Sequence, residues 1–425
     1  MLAKERHLKY DCCVEAAMFV PYARLYQFAF RIVSPLLPWR SPQLITGAGS
    51  AGRIPKLVQE LHVSSILVVT DKGIVKAGII GPLLEALSAG GIRTWVYDQV
   101  VQNPTIQNIE DALAIYKAKG CTAILAVGGG SALDCAKIVG ARVARPHKQV
   151  SSMKGLFKVL RRLPPIIAVP TTAGTGSETT LAAVITDPSR HQKYPINDFC
   201  LIPHSAVLDP SLCIGLPPAI TATTGMDALT HAVEAFIGQS NTRSTQADAI
   251  EASRLILSNL EQVYHHPDSI DGRNAMLTAS FLAGKAFTRA YVGNVHAMAH
   301  AIGGLYGVPH GLANAIILPH VLRYYGKKAH KRLAALARAS GACSTQHSDE
   351  ETADAFIQRI QAMNKAIGIP DHIDAIQEAD IPYLTQHALK EANPLYPVPV
   401  VLSRRDMESL FRIAGGCDKK KAARS

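Results

Sequence analysis

Short runs of β-branched and aliphatic residues alternate with longer amphipathic runs between residues 44 and 210. The short runs predict strands and the longer runs predict helices, an alternation typical of a doubly wound, mostly parallel α/β domain. The predicted strands are residues 66–70, 94–97, 122–127, 166–169 and 206–208, and the predicted helices are residues 53–61, 81–89, 106–118 and 132–144.

The strand signal disappears after Leu216, and the rest of the chain reads as helix after helix with Pro and Gly between them. We therefore predict an α/β N-terminal domain followed by an all-helical C-terminal domain, with the boundary near residues 210–217. The predicted segments are an apolar and basic arm (1–40), the α/β domain (41–213), the helical domain (214–416) and a basic tail (417–425).

The helical half carries a carboxylate and several imidazoles at spacings that suit a metal ion. Asp227 and His231 are four residues apart in an amphipathic pattern, so both project from one helix face, and His296 and His300 repeat that spacing. His310 follows a Gly-Val-Pro turn at the start of the next predicted helix. These groups are typical ligands of Fe(II), Zn(II), Co(II) or Ni(II), and not of Mg or Ca. The alternative is a set of core histidines and caps, which paired spacing disfavours.

Three glycine-rich loops compete for a phosphate group. The loop from Gly47 to Gly52 matches G-x-G-x-x-G and precedes Asp71 by 19 positions, but the run before it, residues 43–46, is too short and polar for a buried first strand. The loops V-G-G-G-S after the third strand and P-T-T-A-G-T-G-S-E after the fourth offer free backbone N–H groups and hydroxyls. Each alone could be a tight turn. Three strand-end loops together predict a dinucleotide crevice.

Composition narrows the class of protein. The chain has 425 residues, 48% of them hydrophobic and 18% charged, which is ordinary for a folded protein with large cores. Its net charge of +11 is concentrated toward the two ends, and no nucleic-acid-binding motif accompanies it, so we predict no nucleic acid partner. The eight cysteines form no C-x-x-C pair or disulfide framework, which favours a reducing cytoplasm.

The N-terminal arm is apolar, but Arg24, Arg31 and several prolines interrupt residues 18–39. These interruptions argue against a transmembrane helix, and no cleavage signal follows an unbroken apolar run. Two roles remain open, an amphipathic segment that makes weak contact with a membrane surface and a segment that packs against a partner subunit. We also predict that Met18 is the natural start of the protein.

Five motifs together carry a family resemblance. V-G-G-G-S-A-L-D-C-A-K, P-T-T-A-G-T-G-S-E, G-M-D-A-L-T-H-A-V-E-A, H-A-M-A-H and P-H-G occur in this order. In this respect residues 41–416 resemble the iron-containing (group III) alcohol dehydrogenases. The resemblance implies an N-terminal dinucleotide-binding domain, an all-helical metal-binding domain and an active site in the cleft between them.

The resemblance also implies roles for individual residues. It makes Asp227, His231, His296 and His310 the metal ligands, and Asp71 the acid that favours NAD over NADP. His300 is the non-ligand histidine beside cofactor and substrate, either a proton relay or an orienting residue, and Phe287 is a substrate-channel aromatic. The implied cofactor-binding residues are Asp71, Gly128, Gly129, Gly130, Ser131, Thr171, Thr172, Ser177 and Lys193.

The implied activity is reversible hydride transfer between a primary alcohol or diol, its aldehyde, and NAD, with Fe(II) or alternatively Zn(II) as Lewis acid. The resemblance also implies a homodimer or larger homo-oligomer. Alternatives are a relative like the glycerol dehydrogenases, which use zinc, or dehydroquinate synthase, a lyase. A non-catalytic protein that binds a membrane surface or a partner through its arm is a further alternative, which retention of all the motifs disfavours.

Overall fold

The computed structural model describes residues 20–188, 192–343 and 347–417. Met18 and residues 418–425 of the predicted tail lie outside this range. The described chain divides into two compact units: Pro38–Leu229 with Glu251–Thr288 form the first, and the remaining described residues form the second. No described helix has both the length and the apolar composition needed to cross a bilayer.

The first unit contains a six-stranded parallel sheet in the order β1-β9-β6-β4-β2-β3. Each of the five predicted strands is present within a residue or two of its predicted ends. Residues 43–46 add an edge strand, which explains their polar pattern because only Ile45 among them is buried. The strands are β1 (Gln43–Thr46), β2 (Ser65–Val69), β3 (Arg93–Tyr97), β4 (Ala123–Gly128), β6 (Ile166–Pro170) and β9 (Ser205–Leu208).

Helices cover both faces of this sheet, which confirms the doubly wound α/β prediction. On β2, Leu67 and Val69 join one hydrophobic cluster with the helices of residues 106–118 and 130–144, while Ile66 and Val68 join a second cluster with the helices of residues 54–60 and 80–89. Because side chains alternate along a strand, a strand buried on both faces is apolar throughout. The helices are α2 (Ile54–Glu60), α3 (Lys72–Lys76), α4 (Ile80–Ala89), α5 (Ile106–Ala118) and α6 (Gly130–Ala144).

A small second sheet, in the order β5-β8-β7, was not predicted. Its strands are β5 (Gly155–Leu156), β7 (Ala182–Asp187) and β8 (Gln192–Asn197), and β7 pairs antiparallel with β8. Buried residues alternate with partly exposed ones along β7, so one face of the strand is only partly covered. β5 has only two residues, β8 is largely polar, and β7 has apolar residues at partly exposed as well as buried positions, so the period-two signal on which strand prediction depends is weak.

Beyond β9 the described residues contain helices and no further strand, which confirms the helical C-terminal region. Residues 20–33 of the arm are helical and are called α1. Capping boxes begin α13 at Ser348 and α15 at Ser403. The remaining helices are α7 (Pro218–Ile237), α8 (Arg243–His265), α9 (Ile270–Ala290), α10 (Asn294–Tyr306), α11 (His310–Tyr325), α12 (Lys327–Ala339), α13 (Asp349–Ala366), α14 (Ile381–Ala392) and α15 (Arg404–Ala414).

Candidate functional site

Three of the predicted metal ligands are buried together. One potential ligand atom from each of Asp227, His231 and His296 lies within 4.8 Å of the others. Asp227 and His231 are one turn apart on α7, and His296 is on α10. The rings of His231 and His296 stack with their centroids 4.4 Å apart. One carboxylate and two imidazoles at this separation form a donor set that fits a divalent transition metal.

Glu234 holds His296 in place from the next turn of α7. Its carboxylate accepts hydrogen bonds from the backbone N–H groups of Gly293 and Val295, both at 2.8 Å. His296 Nδ1 lies 2.6 Å from Glu234 Oε2. Burial raises the pKa of Glu234 to about 7, although the backbone N–H groups favour its ionised form. We place the proton on His296 Nδ1, since the carboxylate already accepts two N–H groups, so Nε2 keeps its lone pair.

Asn314 connects His296 with His310, the fourth predicted ligand. Its Nδ2 atom lies 3.2 Å from His296 Nε2 and 3.1 Å from His310 Nε2. One amide nitrogen can donate to both rings, which makes both Nε2 atoms acceptors. His310 begins α11, and its ring centroid is 5.3 Å from that of His296. His310 therefore lies beside the three-residue cluster.

His300 lies at the edge of this cluster and is partly exposed, with 30% of its side chain accessible. Its Nδ1 atom lies 2.5 Å from Glu391 Oε1, and Tyr396 donates its hydroxyl to the same carboxylate at 2.7 Å. Burial opposes ionisation of Glu391, but His300 and the Tyr396 hydroxyl outweigh it and lower the pKa of the carboxyl group. The His300 ring stacks on His310 at 4.8 Å. An imidazole held at one nitrogen by a carboxylate and reachable from solvent is suited to proton transfer.

Asp71 and Gly128 meet where the strand order of the large sheet reverses. Asp71 follows β2, and Gly128 ends the adjacent β4. Gly128 has a φ of +147°, and a Cβ there would lie 2.9 Å from the Cβ of Ala132 and 3.3 Å from Asp71 Oδ2. Only glycine suits this position. The carboxyl ends of strands at such a switch point form the usual ligand crevice of a doubly wound sheet.

The glycines at the start of α6 face the threonine-rich loop that follows β6. A Cβ on Gly129 would lie 3.5 Å from the Thr172 side chain, and a Cβ on Gly130 would lie 2.7 Å from Thr175 Cγ2. Thr171 N donates to Gly128 O at 3.0 Å, which joins the two loops. Gly129 is the N-cap residue of α6 and offers no side-chain cap. This helix start is thus suited to a phosphate group.

Ser131 and Lys193 belong to a chain of hydrogen bonds at the same helix start. Asn103 N donates to Ser131 Oγ at 3.2 Å, and Lys193 Nζ donates to Asn103 Oδ1 at 2.6 Å. Lys193 lies on β8, in the small sheet that was not predicted. The long side chain therefore brings a positive charge from a different sheet toward α6.

Ser177 is buried and bound to a polar cluster beneath the loops. Its hydroxyl donates to Asp134 Oδ1 at 2.6 Å, and Asp134 Oδ2 accepts from Val184 N at 2.9 Å. The fully buried Lys137 donates to the carbonyl oxygens of Thr180 and Ala182. Burial lowers the pKa of Lys137 to about 8. This cluster ties α6 to the threonine-rich loop and fixes the shape of both.

The loop from Gly47 to Gly52 already holds an anion of the chain itself. Asp209 accepts hydrogen bonds from Gly49 N at 3.1 Å and Ala51 N at 2.9 Å. Its Oδ1 also accepts from Ser211 N at 3.0 Å. A carboxylate occupies the position that a phosphate would take, so the loop from Gly47 to Gly52 is not available as a dinucleotide phosphate site. Phe287, the predicted channel aromatic, is partly buried near the end of α9.

Comparison with known proteins shows the family of this chain. A family model for the iron-containing alcohol dehydrogenases matches residues 41–210, and the model of that family's C-terminal domain matches residues 221–415. The 1,3-propanediol dehydrogenase of Klebsiella pneumoniae is 39% identical over 373 residues, which are 87% of this chain and 96% of that protein. The chain belongs to the iron-containing alcohol dehydrogenase family. Members of this family are oxidoreductases of alcohols and aldehydes.

Solved structures of the iron-containing alcohol dehydrogenase family share the fold. A 1,3-propanediol oxidoreductase superimposes with a TM-score of 0.85 at 38% identity, over 88% of this chain and 99% of that one. The sulfoacetaldehyde reductase of Bifidobacterium kashiwanohense, solved with NAD+, gives a TM-score of 0.80 at 28% identity, over 89% and 98% of the two chains. The family resemblance inferred from the motifs is therefore confirmed.

Several supporting residues of this family member were not predicted from the sequence. Glu234 is three residues beyond His231 on α7, a spacing that places both on one helix face and could have indicated it. Asn314 is four residues beyond His310 on α11, a spacing that also places both side chains on one helix face. Glu391 is 91 residues from His300, and no local pattern connects the two.

Proposed function

We propose that this protein is an NAD-dependent, metal-dependent alcohol dehydrogenase that interconverts a primary alcohol or diol with its aldehyde. The observation that carries the proposal is the buried cluster of Asp227, His231 and His296, in a member of a family of alcohol and aldehyde oxidoreductases. We infer that these three residues hold the ion together with His310. Fe(II) is our first choice and Zn(II) the alternative, since both accept carboxylate and imidazole ligands.

The bound ion would supply a Lewis acid for the substrate oxygen. The chain itself orients the ligands and excludes water. Glu234 fixes the tautomer of His296, and the cluster is nearly inaccessible to solvent. Support of a ligand imidazole by a carboxylate is a common feature of metal sites and raises the basicity of the ligand.

His300 is our candidate for moving the hydroxyl proton of the substrate. Glu391 holds its Nδ1 side, and part of the ring is exposed, so the imidazole can exchange a proton with solvent. The stacking of His300 on His310 keeps it beside an inferred ligand. The rival role, orientation of that ligand alone, predicts that His300→Gln lowers metal affinity without shifting the pH profile of the reaction.

The proposed cofactor-binding residues are Asp71, the Gly128–Gly129–Gly130–Ser131 loop, Thr171, Thr172, Ser177 and Lys193. The loop and the start of α6 would receive the pyrophosphate, and Asp71 at the end of β2 would bind the ribose and repel a 2′-phosphate. The NAD+ complex of the related sulfoacetaldehyde reductase supports this cofactor. The buried bond between Ser177 and Asp134 gives Ser177 a supporting role in shaping the loop.

Two observations indicate the substrate class. The similar Klebsiella enzyme is named for 1,3-propanediol, and the motifs of the site contain no cluster of Arg and Lys that would bind a phosphorylated substrate. We therefore propose small neutral alcohols and diols, with Phe287 lining their path. We further propose a cytoplasmic homo-oligomer with domains at residues 41–213 and 214–416. Cys121, Cys135, Cys200, Cys213 and Cys343 form no disulfide, which is consistent with a reducing compartment.

The test is the initial rate of NADH formation by anaerobically purified protein, with NAD or NADP, against alcohols from ethanol to octanol and the propanediols. We expect turnover with NAD that His296→Ala abolishes and His330→Ala, at a half-buried imidazole on α12, leaves intact. Absence of alcohol-dependent NADH formation with every substrate would overturn the proposal and favour a lyase relative.

A further inference from the structure

Helix α1 is an addition to the family fold, since the family model begins at residue 41. It is nevertheless held firmly in the second unit. Arg24 donates to Val398 O at 2.7 Å and to Pro399 O at 2.8 Å, and Gln27 donates to Tyr396 O at 2.8 Å. The inner face of the helix is therefore bound to residues 396–399, which fixes the side of the helix that faces outward.

The outer face of α1 is apolar. Leu25, Phe28 and Ile32 are 68%, 60% and 57% exposed. At 100° per residue these three lie opposite the buried Ala23 and Gln27. The other large apolar side chains exposed on this helix and just after it are Val20, Tyr22, Tyr26, Val33 and Leu36. A contiguous apolar face of this kind indicates an interaction surface.

The charge around this face is of one sign. Residues 20–40 contain three arginines and no carboxylate. Burial and then the charge of Arg31 lower the pKa of Arg332, which places Arg31 near α12. Helix α12 in turn carries the exposed Lys327, Lys328 and Lys331 and no acidic residue. The apolar face thus belongs to a unit whose neighbouring helix is strongly basic.

The outer face of α1 could be covered by a second copy of this chain or by a lipid surface, and the charges favour the lipid. A symmetric dimer through α1 would pair two identical surfaces, and because α1 and α12 carry basic but no acidic residues, these helices offer each other no charge of opposite sign. An anionic lipid surface offers the opposite charge together with an apolar layer for the outer face. Tyrosines on such a helix suit the boundary between headgroups and acyl chains.

We propose that the outer face of α1 docks this protein on anionic membrane surfaces, with Leu25, Phe28 and Ile32 entering the acyl boundary and Arg31 and the α12 lysines facing the headgroups. The contact is peripheral, because α1 is tied to the protein by its inner face. The inference does not depend on the proposed dehydrogenase activity.

The experiment is co-sedimentation of the full chain with vesicles of phosphatidylcholine alone or mixed with phosphatidylglycerol. We expect binding to the anionic vesicles that weakens as salt rises. The double variant Phe28→Ser/Ile32→Ser should lower the partition coefficient about tenfold or more, and Arg31→Gln about fivefold. Leu160→Ser, at a leucine 63% exposed in the first unit, is the matched control and should bind like the wild type.

Thermal unfolding of each variant checks that the fold is intact. Equal binding to neutral and anionic vesicles, or binding unchanged in the double variant, would overturn the proposal. Light scattering tests the rival interpretation. If the wild type does not bind vesicles and the double variant has a smaller molar mass in solution than the wild type, the face is a self-association surface and the membrane proposal is wrong.

Discussion

Replacement of Glu234 by Gln tests how far the metal cluster depends on its supporting carboxylate. Glu234 accepts three hydrogen bonds, from Gly293 N, Val295 N and His296 Nδ1. The Gln side chain has the same size as that of Glu, but an NH2 group replaces one of its two terminal oxygen atoms. In the better orientation this group faces Val295 N–H, so one buried donor loses its acceptor. The expected loss is about 1–3 kcal/mol in the free energy of unfolding.

The same change should weaken metal binding. The amide oxygen can still accept from His296, but it is a weaker acceptor than a carboxylate and orients the ring less firmly. Loss of such support typically costs about 10–100-fold in metal affinity, or roughly 1.4–2.7 kcal/mol. Zn(II) titration against a competing chelator measures this affinity, and urea unfolding of the metal-free protein measures the stability.

Glu251→Gln is the control for these two measurements, because Glu251 lies exposed on α8 and pairs only locally with Arg254. It should change neither quantity beyond error. If Glu234→Gln lowers the free energy of unfolding but leaves Zn(II) affinity within about twofold of the wild type, the carboxylate supports the fold alone, and its assignment as support for a metal ligand is wrong.

Three further predictions concern the first unit. Asp209→Ala should lower the free energy of unfolding in urea by about 1–2 kcal/mol, since the N–H groups of Gly49, Ala51 and Ser211 lose their acceptor. NAD affinity measured by fluorescence titration should stay unchanged, and a large loss of NAD affinity would restore the Gly47–Gly52 loop as a candidate. Asp71→Ser should raise the ratio of kcat/KM for NADP to that for NAD by about tenfold, or roughly 1.4 kcal/mol, and an unchanged ratio would remove Asp71 from the ribose site. Burial raises the pKa of Glu178 to about 7 from its usual value of 4.5. Between these two pH values the carboxyl group binds a proton in the native state more than in the unfolded state. The contribution of Glu178 to stability therefore falls as pH rises through that window. Glu178→Gln should therefore gain stability relative to the wild type between pH 5 and pH 8, by up to about 3 kcal/mol, and a gain that does not change with pH in urea unfolding would contradict the assignment.

The central strands of the large sheet were predictable because they are buried on both faces. Residues 66–69 and 166–170 are continuous apolar runs followed by polar loops, and such runs bounded by turn residues are the clearest strand signal. Strands β7 and β8 gave no comparable signal. Their side chains are only partly buried, and their pairing depends on tertiary contacts that local propensity does not contain.

Spacing on single helices paired Asp227 with His231 and His296 with His300, but it could not show that α7 and α10 bring Asp227, His231 and His296 together. The Gly47–Gly52 motif was ambiguous. Its backbone does form an anion-binding turn, yet the anion is Asp209, which reaches the turn from the end of β9. A sequence pattern describes the shape of the loop and not its occupant. The pairing of Glu391 with His300 was likewise inaccessible, because it depends on how α14 packs against α10.

We propose that the cluster of Asp227, His231 and His296 holds one divalent ion on which hydride transfer depends. The most direct measurement is an anaerobic titration of metal-free protein with Fe(II) or Zn(II), in which bound metal per chain and the rate of NAD-dependent alcohol oxidation are followed together. We predict that the rate rises in proportion to bound metal and saturates at one ion per chain, and that Asp227→Ala abolishes both. Full activity in the metal-free protein, or one tightly bound ion with no gain in activity, would contradict the account.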